Sequence, residues 1–156
     1  MTAGAEVGEH RIVVGVDGSR HSVAALRWGA YQAAALAARL EAVTAWEYPP
    51  SFGWSSVPSD WDPAKDMEKV LRDAVREAFG DRLPAGLELS VREGGAARVL
   101  LEASRGATML VVGSRGHGGF AGLLLGSVSA NVAEHATCPV LVVHGDRSAP
   151  PVPSGA

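Results

Sequence analysis

The sequence predicts an α/β fold in which a mostly parallel sheet is covered by helices. Five short apolar runs typical of strands alternate with four stretches that have helical periodicity. Several of the runs are apolar throughout, as in strands buried on both faces. The length of 156 residues suits one domain. Alternation of this kind favours a parallel sheet, because each helix returns the chain to begin the next strand.

The first three elements predict a strand–helix–strand unit. Residues 12–16 form a continuous apolar run that ends at Asp17-Gly18-Ser19, which indicates a buried strand followed by a turn. Ser19 is a good N-cap residue, and the periodicity after it predicts a helix of about 18 residues. The apolar run 40–46 predicts a second strand, so we expect a right-handed crossover between the two strands.

A long loop and a strongly amphipathic helix follow. The segment 49–62 contains three prolines and several serines, which predicts a mobile surface loop of about 14 residues. Asp62 and Pro63 then suit the N-cap and the first helical position. Apolar residues spaced alternately by three and one indicate a helix that packs on the sheet: Met67, Val70, Leu71, Ala74, Val75, Ala78 and Phe79.

The second half of the chain repeats the alternation. Leu87, Leu89 and Val91 alternate with polar residues, which predicts a strand at a sheet edge. A helix containing Val99 to Ala103 and a buried strand at 108–112 follow. A glycine-rich loop then leads to a helix at about 127–136 and a last strand, Val140–Val143.

Composition limits the possible functions. The net charge of -3 and the pI of about 5.9 exclude a general binder of nucleic acid or anionic membranes. No apolar stretch approaches the roughly 18 residues of a membrane span, and residues 1–10 lack a signal-peptide core, so we expect a cytoplasmic protein. The single Cys138 excludes an internal disulfide. We expect one domain at 10–145, with a flexible N-terminus at 1–9 and a disordered tail at 146–156.

The glycine content is high and concentrated. Glycine makes up 19 of 156 residues, and six of them lie within fourteen residues, directly after a predicted strand and before a helix. Such a loop directs backbone N–H groups and the helix dipole at one place, which favours a bound phosphate. The alternative is that these glycines form only a flexible turn. They are Gly113, Gly116, Gly118, Gly119, Gly122 and Gly126.

Two common phosphate-binding loops are excluded by the spacing. Gly119 and Phe120 stand where a Walker A motif requires Lys and Ser or Thr, and Lys65 and Lys69 are the only lysines in the chain. The turn after the first strand lacks the G-x-G-x-x-G spacing of a dinucleotide-binding fingerprint.

The spacing Gly113-x2-Gly116-x9-Gly126-Ser127 resembles the ATP-binding signature of the universal stress protein family. Segments 12–19, 42–47 and 126–143 look like the same family, so the resemblance covers roughly residues 10–145. It implies a Rossmann-like, five-stranded parallel sheet of order 3-2-1-4-5 with helices on both faces. It also implies a homodimer and bound ATP, with Mg²⁺ on the phosphates.

The resemblance assigns roles to single residues near the first two strands. In that strand order the ligand crevice lies where Gly15 to Asp17 meet Gly113. Asp17 would contact the ribose or the metal, and capping of the first helix is its alternative role. Ala45 and Trp46 match the position beside adenine, with core packing as the alternative for the Trp46 ring.

The glycine loop supplies the remaining roles. Its glycines would bring N–H groups onto the phosphates, and Ser127 would donate its hydroxyl or serve as the helix N-cap. Arg115 and His117 would neutralise phosphate charge, or else face solvent. The loop residues assigned to the site are Gly113, Ser114, Arg115, Gly116, His117, Gly118, Gly119, Gly126, Ser127, Val128 and Ser129.

The motifs indicate binding with little turnover. A dedicated ATPase needs metal-binding carboxylates, a charge-stabilising cation and a residue that activates water. The motifs of this sequence supply only Asp17, Arg115 and His117, and no lysine that could bind phosphate. A weak ATPase, a cyclic AMP-binding protein and a nucleotide-free interaction module remain alternatives. Val140–Val143 is apolar on both faces at the predicted sheet edge, which favours a homodimer through that strand. The loop at 49–62 could also dock a protein partner.

Overall fold

The computed structural model describes residues 10–48, 59–116, 125–145 and 149–150. The predictions for the N-terminus, for residues 49–58, for the middle of the glycine loop at 117–124 and for most of the tail lie outside the described residues.

Strands and helices alternate along the described chain, as the sequence predicts. The boundaries differ from the predicted ones by one residue in several places, since hydrogen bonds to neighbouring strands decide where a strand ends. In chain order the elements are β1 (Arg11–Gly15), α1 (Arg20–Leu36), β2 (Arg39–Trp46), α2 (Pro63–Phe79), β3 (Glu88–Glu93), α3 (Ala96–Ala103), β4 (Met109–Gly113), α4 (Ser127–His135) and β5 (Val140–Val143).

The five strands form one sheet in which every neighbouring pair is parallel. Their order is β3-β2-β1-β4-β5, which confirms the predicted fold class and strand order. β1 and β4 are neighbours, and the chain leaves them toward opposite halves of the sheet. The carboxyl ends of β1, β4 and β5 lie close together, because Val14 pairs with Val111 and Gly113 pairs with Val143, whereas β2 and β3 continue past the partner of Gly15 to Trp46 and Glu93. A crevice for a ligand is expected at this edge of the sheet.

The helices cover both faces and enclose two cores. Successive β1 side chains point to opposite faces, so Val13 lies in one core while Ile12 and Val14 lie in the other. Under α1 and α2 the largest fully buried side chains are Ile12, Val14, Val23, Leu26, Leu40 and Leu71. Val111 of β4 belongs to this core as well. On the face of α3 and α4 the largest fully buried side chains are Val13, Val43, Val99, Leu110 and Val132.

The helix N-termini fall into two classes. Ser19 caps α1 by accepting a hydrogen bond from the Ser22 N–H (3.2 Å), and Asp62 caps α2 by accepting one from the Lys65 N–H (3.2 Å). Both caps were predicted. α3 and α4 instead begin after Gly95 and Gly126, and neither has a side-chain cap. No helix of the described residues is long and apolar enough to span a bilayer.

Candidate functional site

A cavity of about 540 Å³ opens at the carboxyl edge of the sheet, where β1 and β4 end. It includes residues from β1, β2, β4 and all four helices or the turns before them. Its lining consists of Gly15, Val16, Asp17, Ser22, Val43, Ala45, Met67, Val70, Ala96, Leu100, Val112, Gly113, Arg115, Gly116, Gly126, Ser127, Val128 and Ser129.

Asp17 is fixed at the mouth of this cavity by the turn that follows β1. Its Oδ1 accepts hydrogen bonds from the Ser19 N–H (2.9 Å) and the Ser19 hydroxyl (2.5 Å). The sequence had left helix capping open as the role of Asp17. The structure corrects that alternative, because Ser19 is the N-cap of α1 and Asp17 supports it from outside the helix.

Gly116 lies against the other carboxylate oxygen of Asp17. A Cβ at position 116 would collide with Oδ2, so the absence of a side chain lets the loop approach the carboxylate. The end of the β1 turn and the start of the glycine loop therefore meet across the cavity.

Gly113 is required by a second close approach. The first turn of α1 packs on the end of β4, and a Cβ at position 113 would lie 2.8 Å from the carbonyl carbon of His21 and 2.9 Å from its oxygen. Both are backbone atoms that cannot rotate away. The absence of a side chain at position 113 therefore lets α1 pack closely against the end of β4 at the mouth of the cavity.

A backbone network joins the two ends of the glycine loop. The Gly126 N–H donates to the Ser114 carbonyl (2.7 Å), and the Ser114 N–H donates to the Val143 carbonyl (2.8 Å). The Ser129 hydroxyl donates to the carbonyls of Ser114 (2.9 Å) and Gly126 (3.1 Å). Ser114 is buried and lies outside the cavity lining. It therefore connects β4, β5 and α4 beneath the loop.

The N-terminus of α4 faces the cavity, and within the described residues no side chain caps it. The sequence left open whether Ser127 caps this helix; Gly126 is the N-cap, and Ser127 is the first helical residue. Within the described residues, the Ser127 hydroxyl has no hydrogen-bond partner. Uncapped first-turn N–H groups and the positive end of the helix dipole favour an anion here.

The other predicted site residues divide into three groups. Arg115 lines the cavity and is half-buried, and Ala45 lines it from β2. Trp46 is not among the lining residues; its ring packs edge-on against Tyr48 with centroids 5.4 Å apart, and its carbonyl accepts from the Gly94 N–H (2.8 Å). His117, Gly118 and Gly119 lie outside the described residues.

Seven residues of the lining were not predicted from the sequence: Ser22, Val43, Met67, Val70, Ala96, Leu100 and Val112. Met67 and Val70 of α2 were assigned to the core, and Ala96 and Leu100 of α3 were given no role in the site. A topological signal could have found those on the helices. A helix that follows a parallel strand begins at the carboxyl edge of the sheet, so its first turns lie beside the ligand crevice.

Comparison with known proteins agrees with this architecture. The family model described as the universal stress protein family matches residues 9–144. A universal stress protein of Mycolicibacterium smegmatis is 34% identical over 148 residues, which cover 90% of this chain and 50% of that protein. The chain thus spans about half the length of the curated relatives it matches.

Solved structures lead to the same family. A crystal structure of a universal stress protein in complex with cAMP is 32% identical, covers 88% of this chain and 98% of that one, and has a TM-score of 0.62. UspA from Lactobacillus plantarum shares the fold with a TM-score of 0.68 and 18% identity, covering 87% and 98% of the two chains. With the matching family model and the parallel sheet of order 3-2-1-4-5, these findings show that the chain belongs to the universal stress protein family.

Proposed function

We propose that the chain binds an adenine nucleotide, with ATP as the ligand, in the cavity at the carboxyl edge of the sheet. Nucleotide binding would make it a regulatory protein of the cytoplasmic stress response. The observation that supports this best is the division of the cavity into two unlike halves. Glycine backbone and the α4 N-terminus line the half at β4, while apolar side chains line the half at β2.

The half at β4 suits phosphates. Gly113, Gly116 and Gly126 let a ligand approach the backbone without meeting a side chain, and among the described residues no side chain caps the N–H groups of the first turn of α4. Arg115 would add one positive charge. Both lysines of the chain lie on α2, and neither lines the cavity. Phosphate binding would therefore depend mainly on amides and should weaken less with added salt than binding at a lysine-rich site.

Mg²⁺ fits this site only as a companion of the phosphates. No group of three or more potential metal ligands occurs within the part of the chain that the structure describes. Asp17 is the one acidic residue of the described lining, and its Oδ2 is the oxygen that does not bind Ser19. Mg²⁺ typically takes one or two carboxylates together with substrate phosphates. The bound ion would neutralise charge between the phosphates and Asp17.

The same residues favour binding without efficient hydrolysis. Asp17 and Arg115 are the only charged side chains in the described lining. An ATPase needs a residue that orients water and a set of charges at the γ-phosphate. We expect single-turnover hydrolysis slower than about one per second, which is low for a dedicated enzyme. A faster rate in a quench assay would contradict the binding role.

Cyclic AMP is a second candidate ligand. It is favoured by the 32% identical universal stress protein whose structure is in complex with cAMP. A mass spectrum of the nucleotide released from freshly purified protein separates the two: we expect ATP, and cyclic AMP would establish the second candidate. If the protein releases neither ATP nor cyclic AMP, and the nucleotide-stripped protein binds neither of them, the remaining alternative is a nucleotide-free interaction module.

We further propose that residues 10–145 act as one domain and associate as a homodimer through β5. β5 is an edge strand, and a groove of about 360 Å³ lies along it, lined by Trp28, Leu141, Val142, Val143 and His144. An exposed apolar edge strand favours pairing with another strand. Two copies related by a two-fold axis would cover both edges with the same contacts.

A further inference from the structure

The two edge strands of the sheet differ in how they are protected against pairing with another chain. β3 contains Glu88, Arg92 and Glu93, and charged side chains discourage a further strand from pairing with an edge. β5 contains only valine and leucine, and its residues 140–142 are half-buried. Native proteins commonly cover an apolar edge of this kind with a loop or a helix.

The groove along β5 lies where the chain leaves the sheet. It is lined by Trp28 of α1, by residues 141–143 and by His144, which directly follows the strand. Gly145 then has a φ of 65°, a left-handed conformation through which a β-strand does not continue. The chain therefore turns away from the direction of β5 at one end of the groove.

The residues beyond this turn suit a cover for the groove. Segment 146–156 has three prolines, all within residues 150–153, and proline has no N–H for a strand ladder. Such a sequence favours a polyproline II helix, whose three residues per turn place Ala149 and Val152 on one edge. Ala149 is half-buried, whereas Pro150 is exposed. We therefore expect the edge with Ala149 and Val152 to face the protein.

We propose that residues 149–153 cover the groove at β5 of their own chain and compete there with the strand of a partner copy. The inference rests on the proposed homodimer and adds a segment that limits it. Residues 146–148 span at most about 10 Å, so the covering segment begins within reach of the groove that His144 lines. Because groove and segment are both apolar, their contact removes apolar surface of each from water.

The short connection makes weak docking effective. A segment tethered by a few residues has a local concentration on the order of millimolar, so it docks with an affinity that separate molecules would not show. Each of the two chains must release its segment before the β5 edges pair. The effect on the dimer is therefore the square of the effect on one chain, and a docked fraction of about nine tenths raises the dissociation constant about a hundredfold.

The first test follows docking by proteolysis with trypsin, which can cut after Arg147. Cleavage there tracks the fraction of chains whose residues 149–153 are released. Val152→Asp puts a charge on the docked edge, and Ser154→Asp adds the same charge beyond the segment as the matched control. At low nanomolar protein, where the chain is monomeric, we expect Val152→Asp to raise the cleavage rate at least fivefold. Ser154→Asp should change it less than twofold.

The second test alters the groove. Leu141→Ala removes part of its lining and should raise the rate of cleavage after Arg147 at least threefold. Leu89→Ala, on the other edge strand, is the control and should change that rate less than twofold. Cleavage after Arg27, within α1, reports unfolding and should stay slow in both variants. A rate that Leu141→Ala leaves unchanged contradicts this groove as the docking site.

Sedimentation of the full chain measures the competition with the partner strand. Val152→Asp should lower the dissociation constant of the dimer at least twentyfold, close to the square of its effect on cleavage. Ser154→Asp should change the constant less than twofold.

The outcomes separate this inference from the proposed homodimer. Equal cleavage rates in Val152→Asp and Ser154→Asp overturn the docking. Protection from cleavage that appears only at concentrations where the chain is dimeric overturns docking on the same chain. Faster cleavage with an unchanged dimer constant overturns the competition. If neither wild type nor Val152→Asp dimerises, the homodimer and the competition both fail, while the cleavage rates still decide the docking.

Discussion

At the scale of single residues, Gly113 and Gly116 have a structural reason to be glycine beside the proposed ligand. A side chain at 113 would meet the backbone of His21, and one at 116 would meet the Asp17 carboxylate. From the sequence, the glycines of this loop are expected because they let a phosphate approach the backbone. The structure adds that the chain itself approaches both positions closely, so part of the glycine pattern serves folding.

Gly113→Ala should therefore destabilise the fold. The new Cβ overlaps backbone atoms of α1, and relief requires the helix to shift, so we expect a loss of about 2–4 kcal/mol in the free energy of unfolding. Urea unfolding followed by circular dichroism measures it. Gly95→Ala is the control, since a Cβ there makes only ordinary contacts with Glu47 at 3.9 and 4.0 Å. Equal stability of the two variants would contradict the close approach.

Residue roles at helix starts were the least predictable part of the site. The sequence offered Asp17 and Ser19 for the start of α1, and it offered Ser127 for α4, where Gly126 is the cap. All three polar residues are good N-caps by type. The cap is decided by which residue leaves helical backbone geometry, and that depends on the packing of the preceding loop.

At the scale of elements, the apolar runs predicted the strands because a strand buried on both faces excludes polar side chains. Glu41 is an exception inside β2, and its side chain is only 10% exposed. It pairs with Arg11 of β1 (3.3 Å) and Arg92 of β3 (2.9 Å), which joins three strands. Arg11 also donates to the carbonyls of Ala103 (2.6 Å) and Arg105 (2.9 Å), so it connects β1 to the end of α3. No local pattern predicts such a cluster, because its members meet only in the sheet.

Glu41→Gln tests the contribution of this cluster. The substitution preserves shape and removes the charge between two arginines, so we expect a loss of about 1–3 kcal/mol in the free energy of unfolding. Glu88→Gln breaks the exposed pair with Arg39, whose side chains are 51% and 55% exposed, and serves as the control. It should cost less than about 0.5 kcal/mol. A Glu41 variant as stable as the Glu88 variant would contradict a stabilising role for the buried carboxylate.

Helical periodicity predicted which face of α2 is apolar. It did not predict where the helix lies along the direction of the strands. Leu71, Ala74 and Val75 are buried in the core as expected. Met67 and Val70 belong to the same apolar face, yet they line the cavity. The position of a helix along its strand depends on the path of the connecting loop and on packing, and the periodicity of apolar residues gives no information on either.

At the scale of the whole molecule, the strand order could be predicted from the family resemblance and is confirmed. The position of the cavity then follows, since β1 and β4 are the neighbours from which the chain departs in opposite directions. The association of two chains is a separate prediction, based on the apolar groove beside β5.

Substitution of one leucine at each edge of the sheet tests that association. Leu141→Glu places a charge in the groove at β5, so we expect it to convert a micromolar dimer into a monomer in sedimentation experiments. Leu89→Glu is the matched control on the other edge strand, β3, where the side chain is 40% exposed. It should leave the dimer intact. A wild-type protein that is monomeric at micromolar concentration would contradict the dimer.

The central claim is that the carboxyl-edge cavity holds an adenine nucleotide, and a calorimetric titration of nucleotide-stripped protein with Mg²⁺-ATP tests it most directly. Gly116→Asp is the decisive variant, because the new side chain meets Asp17 and adds a negative charge where the phosphates would lie. We predict saturable binding of one ATP per chain in the wild type and no measurable binding in the variant. Absence of heat with the wild type, or undiminished binding by Gly116→Asp, would contradict the claim.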